Sequence, residues 1–338
     1  MEQPQIIGYG SYGCAFSPSL HCNKKRVDYT NKISKLMKTS NAVEELNETK
    51  AVSQIDPTNQ FHLGTPIQCK ADVDKYAKEI EKCKPIKDVK LNDLALLIMK
   101  NGGFTLDVLC SKLKEKDTSL KIKLPEVLTS IGDLLKGLET FQKNGLVHHD
   151  LKPQNILFDP TTGKLYFIDF GLMTAKSKII AAGASNKYSF NILHWNFPFE
   201  TEFINKIKYD NSVLRYRKFI YDYIVRKVID DASFQLAFTY LNSSLLVPSR
   251  EVIQGYINEF VDSIIQLTSS MPYNEGIHKI VDSIDVYGLG LSMQYLINCL
   301  HKHNIMPNNI YTQVCIIINK MWTFNVNQKI TDATELVR

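Results

Sequence analysis

Two short polar segments constrain this chain more than anything else in it: His148-His149-Asp150-Leu151-Lys152-Pro153-Gln154-Asn155 and Asp169-Phe170-Gly171. Asp150 and Asn155 stand five residues apart, and Asp169 follows Asp150 by nineteen. Between them, Leu157-Phe158, the turn Thr161-Thr162-Gly163 and the apolar run Leu165 to Ile168 read as a small hairpin. Both anchors are therefore short pieces at strand ends. Their carboxylate and amide oxygens are hard donors of the kind a divalent cation prefers, and such positions let them converge on one cleft.

The flanking sequence changes texture at one point. Residues 1–100 read as strands with one helix: Ile6-Ile7 enters a Gly-rich turn, and Asn31 to Met37 is a strand. Ala42 to Ile55 has Val43, Leu46, Val52 and Ile55 near helical spacing and stops at Asp56-Pro57. Leu94 to Met99 is a continuous apolar strand ended by Asn101-Gly102-Gly103, the best hinge candidate. Beyond it the pattern turns helical, as in Leu128 to Asn144 and most of 201–280. The expectation is an α+β chain of two packed lobes with a cleft between them. A net charge of +5 over 338 residues is too mild for a dedicated nucleic-acid binder. No apolar run approaches the roughly 20 residues needed to span a bilayer. The start Met1-Glu2-Gln3-Pro4 lacks a secretory pattern, so a cytoplasmic protein is expected. Cys14, Cys22, Cys69, Cys83, Cys110, Cys299 and Cys315 are scattered without a C-x-x-C pair, and reduced thiols are expected.

Phosphoryl transfer from ATP needs hard oxygens to hold magnesium and a carboxylate to orient the attacking hydroxyl. The two segments supply these groups, and here the chain resembles the eukaryotic protein kinases. Their H-R-D-x-x-x-x-N and D-F-G motifs are matched apart from His149 in place of Arg. The resemblance implies that Asp150 is the catalytic base, that Asn155 and Asp169 bind Mg2+, and that Lys152 steadies the transferred group. It also implies ATP as donor and protein hydroxyls as acceptors. A lysine two residues after the base accompanies Ser/Thr acceptors in that family. The implied fold is a small antiparallel N-lobe over 1–100 and a larger, mainly helical C-lobe over 101–338, with a helical insertion at about 201–280.

Further elements extend the resemblance. Gly8-Tyr9-Gly10-Ser11-Tyr12-Gly13 is weak alone, because dinucleotide folds use the same letters. Ser17-Pro18 argues against a following helix, so a strand–turn–strand covering the phosphates is the better reading, with Ala15 over the adenine. Lys32 and Lys35 point to opposite faces of one strand. Lys35, with Ile33 two residues earlier, is the better phosphate lysine. Glu48, with Val52 and Ile55 beyond it, is the expected core-facing partner of Lys35, while Glu44 and Glu45 are expected to face water. Met99 would stand beside the adenine and Lys100 to Gly102 form the hinge. Asp285, in Ser283-Ile284-Asp285-Val286-Tyr287-Gly288, is expected to anchor the catalytic-loop backbone, or simply to cap an apolar helix. Lys329 would pair with Glu200 of Pro198-Phe199-Glu200, which stands for A-P-E.

Departures matter as well. His149 is only partly protonated near neutral pH and lacks the arginine fork that clasps an activation-segment phosphate. An enzyme independent of such phosphorylation at Thr174, Ser177, Ser185 or Ser189 is expected. The 201–280 insertion reads as a structural buttress or as a docking surface for a partner. The short edges, this insertion and the Gly-rich loop resemble kinases of large cytoplasmic DNA viruses of the iridovirus, asfarvirus and mimivirus type, which would place the protein in host cytoplasm or virus particle. The leading expectation is an active Ser/Thr protein kinase. A pseudokinase scaffold or a small-molecule phosphotransferase is the alternative; both usually lose residues retained here.

Overall fold

The computed structural model describes residues 3–10, 12–116, 120–189, 194–212 and 217–337. The chain divides into two compact units, Met1–Gly103 with Tyr166–Gly171, and Phe104–Leu165 with Leu172–Arg338.

The first unit is built on an antiparallel five-stranded sheet, with strands β1 (Gln5–Gly10), β2 (Gly13–Ser17), β3 (Lys32–Lys38), β4 (Ile67–Cys69) and β5 (Leu94–Lys100) in the order β1-β2-β3-β5-β4. Side chains alternate between sheet faces. Cys14, Phe16, Leu36, Leu96 and Ile98 thus enter one apolar cluster, while Met37, Ala95, Leu97 and Met99 join Ala42 in another. Helix α1 (Thr39–Ile55) follows β3 without a loop and buries Ala42, Thr49 and Val52. This stripe differs from the expected one, and Val43 is exposed. A short helix α2 (Ala77–Glu81) lies in the connection from β4 to β5.

Four of the seven cysteines are disulfide-bonded, which corrects the expectation of reduced thiols. Cys14 pairs with Cys83 and Cys22 with Cys69, each with a Cα–Cα separation of 5.8 Å. The partners lie 69 and 47 residues apart in sequence, so local spacing carries no trace of them. Cys110, Cys299 and Cys315 are free.

The second unit begins at Phe104, directly after the glycine pair, with β6 (Phe104–Thr105), α3 (Leu106–Lys114) and α4 (Leu124–Lys143). Strand β7 (Leu146–Val147) precedes the His148–Asn155 loop, and β8 (Ile156–Phe158) follows it and pairs with β6. The chain turns at Asp159–Lys164 into β9 (Leu165–Phe167), the strand before Asp169. Strand β10 (Thr174–Ala175) pairs with β7 and leads into α5 (Lys176–Ala184).

Helices α6 (Lys206–Ser212), α7 (Arg217–Val228), α8 (Ala232–Leu241) and α9 (Arg250–Ser270) fill most of the expected insertion. Of these, α6, α8 and α9 pack on α10 (Tyr273–Lys302), whose residues 283–300 are all buried, and α7 packs on α9. Ile224, Phe238, Phe260 and Ile264 share one core with Ile277, Ile284 and Leu291. This packing accounts for the helices as part of the unit's core. Helices α11 (Asn308–Trp322) and α12 (Thr334–Val337) close the chain. No helix among the described residues is long and apolar enough to cross a membrane.

Candidate active site

The Gly-rich segment is the tip of the β1–β2 hairpin, where Gly10 faces Gly13 and Tyr9 faces Cys14. Ser11 lies outside the described residues. Tyr9 and Tyr12 are exposed. A Cβ on Gly13 would stand 2.1 Å from the Leu36 carbonyl oxygen, so only glycine lets β2 approach β3 there. At Gly8 and Gly10 the nearest atoms are 4.0 and 3.7 Å away, and no such constraint acts.

Register then sets the neighbours. Gly8 opposes Ala15, Ala15 opposes Lys35, and Lys35 opposes Leu97 across the sheet. Ile33 opposes Met99, so Ala15, Ile33, Lys35 and Met99 share one sheet face, as expected, and Lys32 stands on the other. The Lys35 ammonium meets Glu45 Oε2 at 2.5 Å. The expected partner was Glu48, and the helix start explains the difference. Because α1 begins at Thr39, straight out of β3, its inward stripe runs through Ala42, Glu45, Thr49 and Val52. Glu48 stands one turn further on, beside the Asp169–Gly171 turn, with Oε2 3.9 Å from where a Gly171 Cβ would be. Burial, then the neighbouring charges of Glu45, Asp169 and Glu44, push its carboxyl pKa up.

Lys100 lies over the Tyr166 ring at 5.2 Å, and Gly102 is buried beside an Asn101 side chain that accepts from Gly103 N at 3.0 Å. Phe167 N donates to Phe61 O at 2.8 Å, which fixes the strand entering the Asp169 turn. Asp169 has φ +63°, a left-handed conformation that Asp tolerates better than most residues. Its carboxylate is exposed and takes no hydrogen bond from the described residues.

In the second unit, α10 organises the His148–Asn155 loop. Asp285 accepts from His148 N at 2.6 Å and His149 N at 2.9 Å. Three residues on, a Cβ at Gly288 would lie 2.5 Å from Leu151 O, so the same helix face demands glycine where the loop backbone presses closest. The expected anchor is present, but Asp285 is no helix cap: α10 starts at Tyr273. Burial raises its carboxyl pKa to about 7 against the two amide donors.

His149 has φ +68° and is fully buried, its ring stacked on Phe197 at 5.2 Å. Its Nε2 shares a 2.8 Å hydrogen bond with the Tyr188 hydroxyl. Burial lowers its pKa to about 4, so at pH 7 it is neutral rather than partly protonated. Asn205 grips the Tyr188 backbone at both N and O, at 3.2 and 3.1 Å.

Asp150 is the best-held side chain in this loop. Lys152 Nζ donates to both its oxygens, at 2.9 and 2.7 Å, and Asn155 Nδ2 donates to Oδ2 and to the Asp150 carbonyl, each at 2.8 Å. Asn196 Nδ2 adds a bond to Oδ1 at 3.0 Å. Glu200 and Lys329 form the expected ion pair at 2.6 Å with both side chains 1% exposed, and burial pulls the lysine pKa down. The structure thus brings Asp150, Lys152 and Asn155 together, and Lys35 with Ala15 and Met99. Glu45, Tyr188, Asn196 and Asn205 were missed. No local pattern marks them, because each is chosen by tertiary contact.

The protein kinase domain family matches residues 1–189. This chain belongs to the protein kinase family. A probable serine/threonine-protein kinase of fowlpox virus is 26% identical over 192 residues, 57% of this kinase and 59% of that protein. The alpha-prime subunit of casein kinase II from Saccharomyces cerevisiae is 30% identical over 112 residues, 28% of this kinase and 33% of that subunit. Protein kinase gsk3 of Schizosaccharomyces pombe is 41% identical over 71 residues, 20% of this kinase and 17% of that protein. The chain spans a third or less of these two yeast relatives and 59% of the viral one. Similarity to virus-encoded kinases, expected from the sequence, is found with a poxvirus protein.

Proposed function

We propose that this kinase transfers the γ-phosphate of ATP to serine and threonine hydroxyls of proteins, with Mg2+ as cofactor. The observation that carries the reading is the Asp150 carboxylate held by Lys152 and Asn155 on a loop hung from Asp285. Asp150 accepts the proton of the acceptor hydroxyl as the hydroxyl oxygen attacks the γ-phosphorus and the bond to the leaving ADP breaks. Lys152 shifts from Asp150 to the transferred group, whose charge spreads over three oxygens in the transition state. Lys35 binds the non-transferred phosphates from the first unit, beside the Gly8–Gly13 turn, and Met99, Lys100 and Gly102 border the adenine.

The residues present suit magnesium. Asn155 spends its amide hydrogens on Asp150, which leaves Oδ1 as a neutral hard donor, and the Asp169 carboxylate is free of hydrogen bonds from the described residues. When bound, the ion neutralises phosphate charge. The alternatives, a scaffold without activity or a small-molecule phosphotransferase, fit less well with a base, a lysine and both oxygen donors in place. Two disulfides also favour an oxidising setting, such as a virus particle, over the cytosol.

The test is transfer from labelled ATP with magnesium to a generic basic protein and to the kinase itself, with Asp169→Ala as control. Labelled serine and threonine that vanish in the variant are expected. Nucleotide binding without transfer to protein would favour the small-molecule acceptor, and no nucleotide binding would favour the scaffold.

Neutral His149 already holds Tyr188 through a hydroxyl, so the segment it anchors needs no phosphate to stay in place. Changing Thr174, Ser177, Ser185 and Ser189 together to Ala should leave the transfer rate close to wild type. A collapse of the rate in a folded quadruple variant would overturn this.

A further inference from the structure

We infer that Asn196 is a positioning residue for Asp150, keeping the base aligned when Lys152 leaves it for the phosphoryl group. The inference rests on the phosphotransfer reading above and concerns the same site.

Among the described residues, each oxygen of the Asp150 carboxylate has two donors. Oδ2 has Lys152 at 2.7 Å and Asn155 at 2.8 Å; Oδ1 has Lys152 at 2.9 Å and Asn196 at 3.0 Å. Two of these donors have other duties. Lys152 must turn to phosphate during transfer, and Asn155 also ties the Asp150 carbonyl and offers Oδ1 to a cation. Asn196 has no second task for its amide hydrogens among the described contacts, and its side chain is 1% exposed. With Lys152 withdrawn, it is the sole side chain on Oδ1 among the described residues. That bond fixes the carboxylate plane, which Asn155 on Oδ2 alone would leave free to turn.

The orientation of the Asn196 amide is set by its own neighbour. His194 Nδ1 is hydrogen-bonded to Asn196 Oδ1, and an amide oxygen can only accept, so Nδ1 carries the proton and Nδ2 is left facing Asp150. The backbone around it is anchored on both sides. Phe197 stacks on His149 at 5.2 Å, and Trp195 meets the Tyr240 ring edge-on at 6.0 Å. A donor on so fixed a support is suited to hold a reactive group within a fraction of an ångström.

Asn196→Asp keeps the shape and removes the donor, and Asn196→Ala removes the side chain. Each should lower kcat about 10- to 100-fold, with the KM for ATP and the melting temperature near wild type. Asn196→Ser, smaller but still a donor, should recover part of the rate. The deciding measurement is a double-mutant cycle. In an Asp150→Asn background the Asn196 substitutions should have no further effect on kcat, because no base remains to be aligned. Unchanged kcat in a folded single variant, or losses that multiply in the double variant, would overturn the inference. A wild-type protein that transfers no phosphate would instead sink the kinase reading on which it stands.

Discussion

Asp150→Asn should lower kcat by about 10²- to 10⁴-fold, the range a positioned general base supplies. The KM for ATP and the melting temperature should stay close to wild type. The substitution is isosteric, so the Leu151 backbone against Gly288 and the two amides on Asp285 keep their places. What is lost is an oxygen able to take the acceptor proton and the charge that holds Lys152 at 2.7 Å. In the proposed reading ATP is held by the first unit, where Lys35 and the Gly8–Gly13 turn lie, which is why ground-state affinity for the nucleotide should survive. Loss of kcat and kcat/KM in equal proportion marks an interaction made in the transition state alone. Wild-type kcat in the variant would remove Asp150 from the chemistry. A large rise in the ATP KM would make it a nucleotide ligand instead. Asp150→Ala is the weaker test, since it leaves the Lys152, Asn155 and Asn196 donors facing a void.

The parts of this kinase that could be read from its sequence are those whose chemistry needs fixed short spacings. Asp150 to Asn155 is one loop, Asp169 ends one strand, and strict alternation along β3 put Lys35 and Ile33 on the same face. Asp285 was legible through its resemblance to a family motif, whereas the closeness of Gly288 to the loop, one helical turn on, was not. Glu45 was not, because the inward stripe of α1 depends on where the helix begins, and a 13-residue interval from Lys35 to Glu48 left no loop to absorb a shift. Its apolar pattern was no guide either, with Thr49 buried and Val43 exposed. Asn196 reaches Asp150 from 46 residues away, along a segment with no periodic signal. His149 was visible as a departure, while its neutrality follows from burial that no sequence window reports.

The disulfides are the largest feature the sequence left unread, and reduction should unfold the first unit at a temperature well below the oxidised midpoint. Cys14–Cys83 closes a loop of 69 residues, for which the chain-entropy estimate is about 4 kcal/mol. Cys22–Cys69 is nested inside it. With the outer bridge made, the inner one closes a much shorter ring through residues 14–22 and 69–83, so its added contribution is nearer about 3 kcal/mol. Together, at about 7 kcal/mol, they are comparable with the whole stability of many domains, roughly 5–15 kcal/mol. Cys14 is also buried at the strand that follows Gly13, so the first unit's Gly-rich turn should loosen along with the fold. Three measurements bear on this. Thiol titration of the denatured, unreduced protein should find Cys110, Cys299 and Cys315 reactive and the other four silent. Reduction with alkylation should lower the melting temperature by more than about 15 °C. It should also weaken ATP binding measured below the new midpoint. Seven reactive thiols before reduction, or an unchanged melting temperature after it, would show that sheet and core alone hold this unit, and that the chain is built for reducing surroundings.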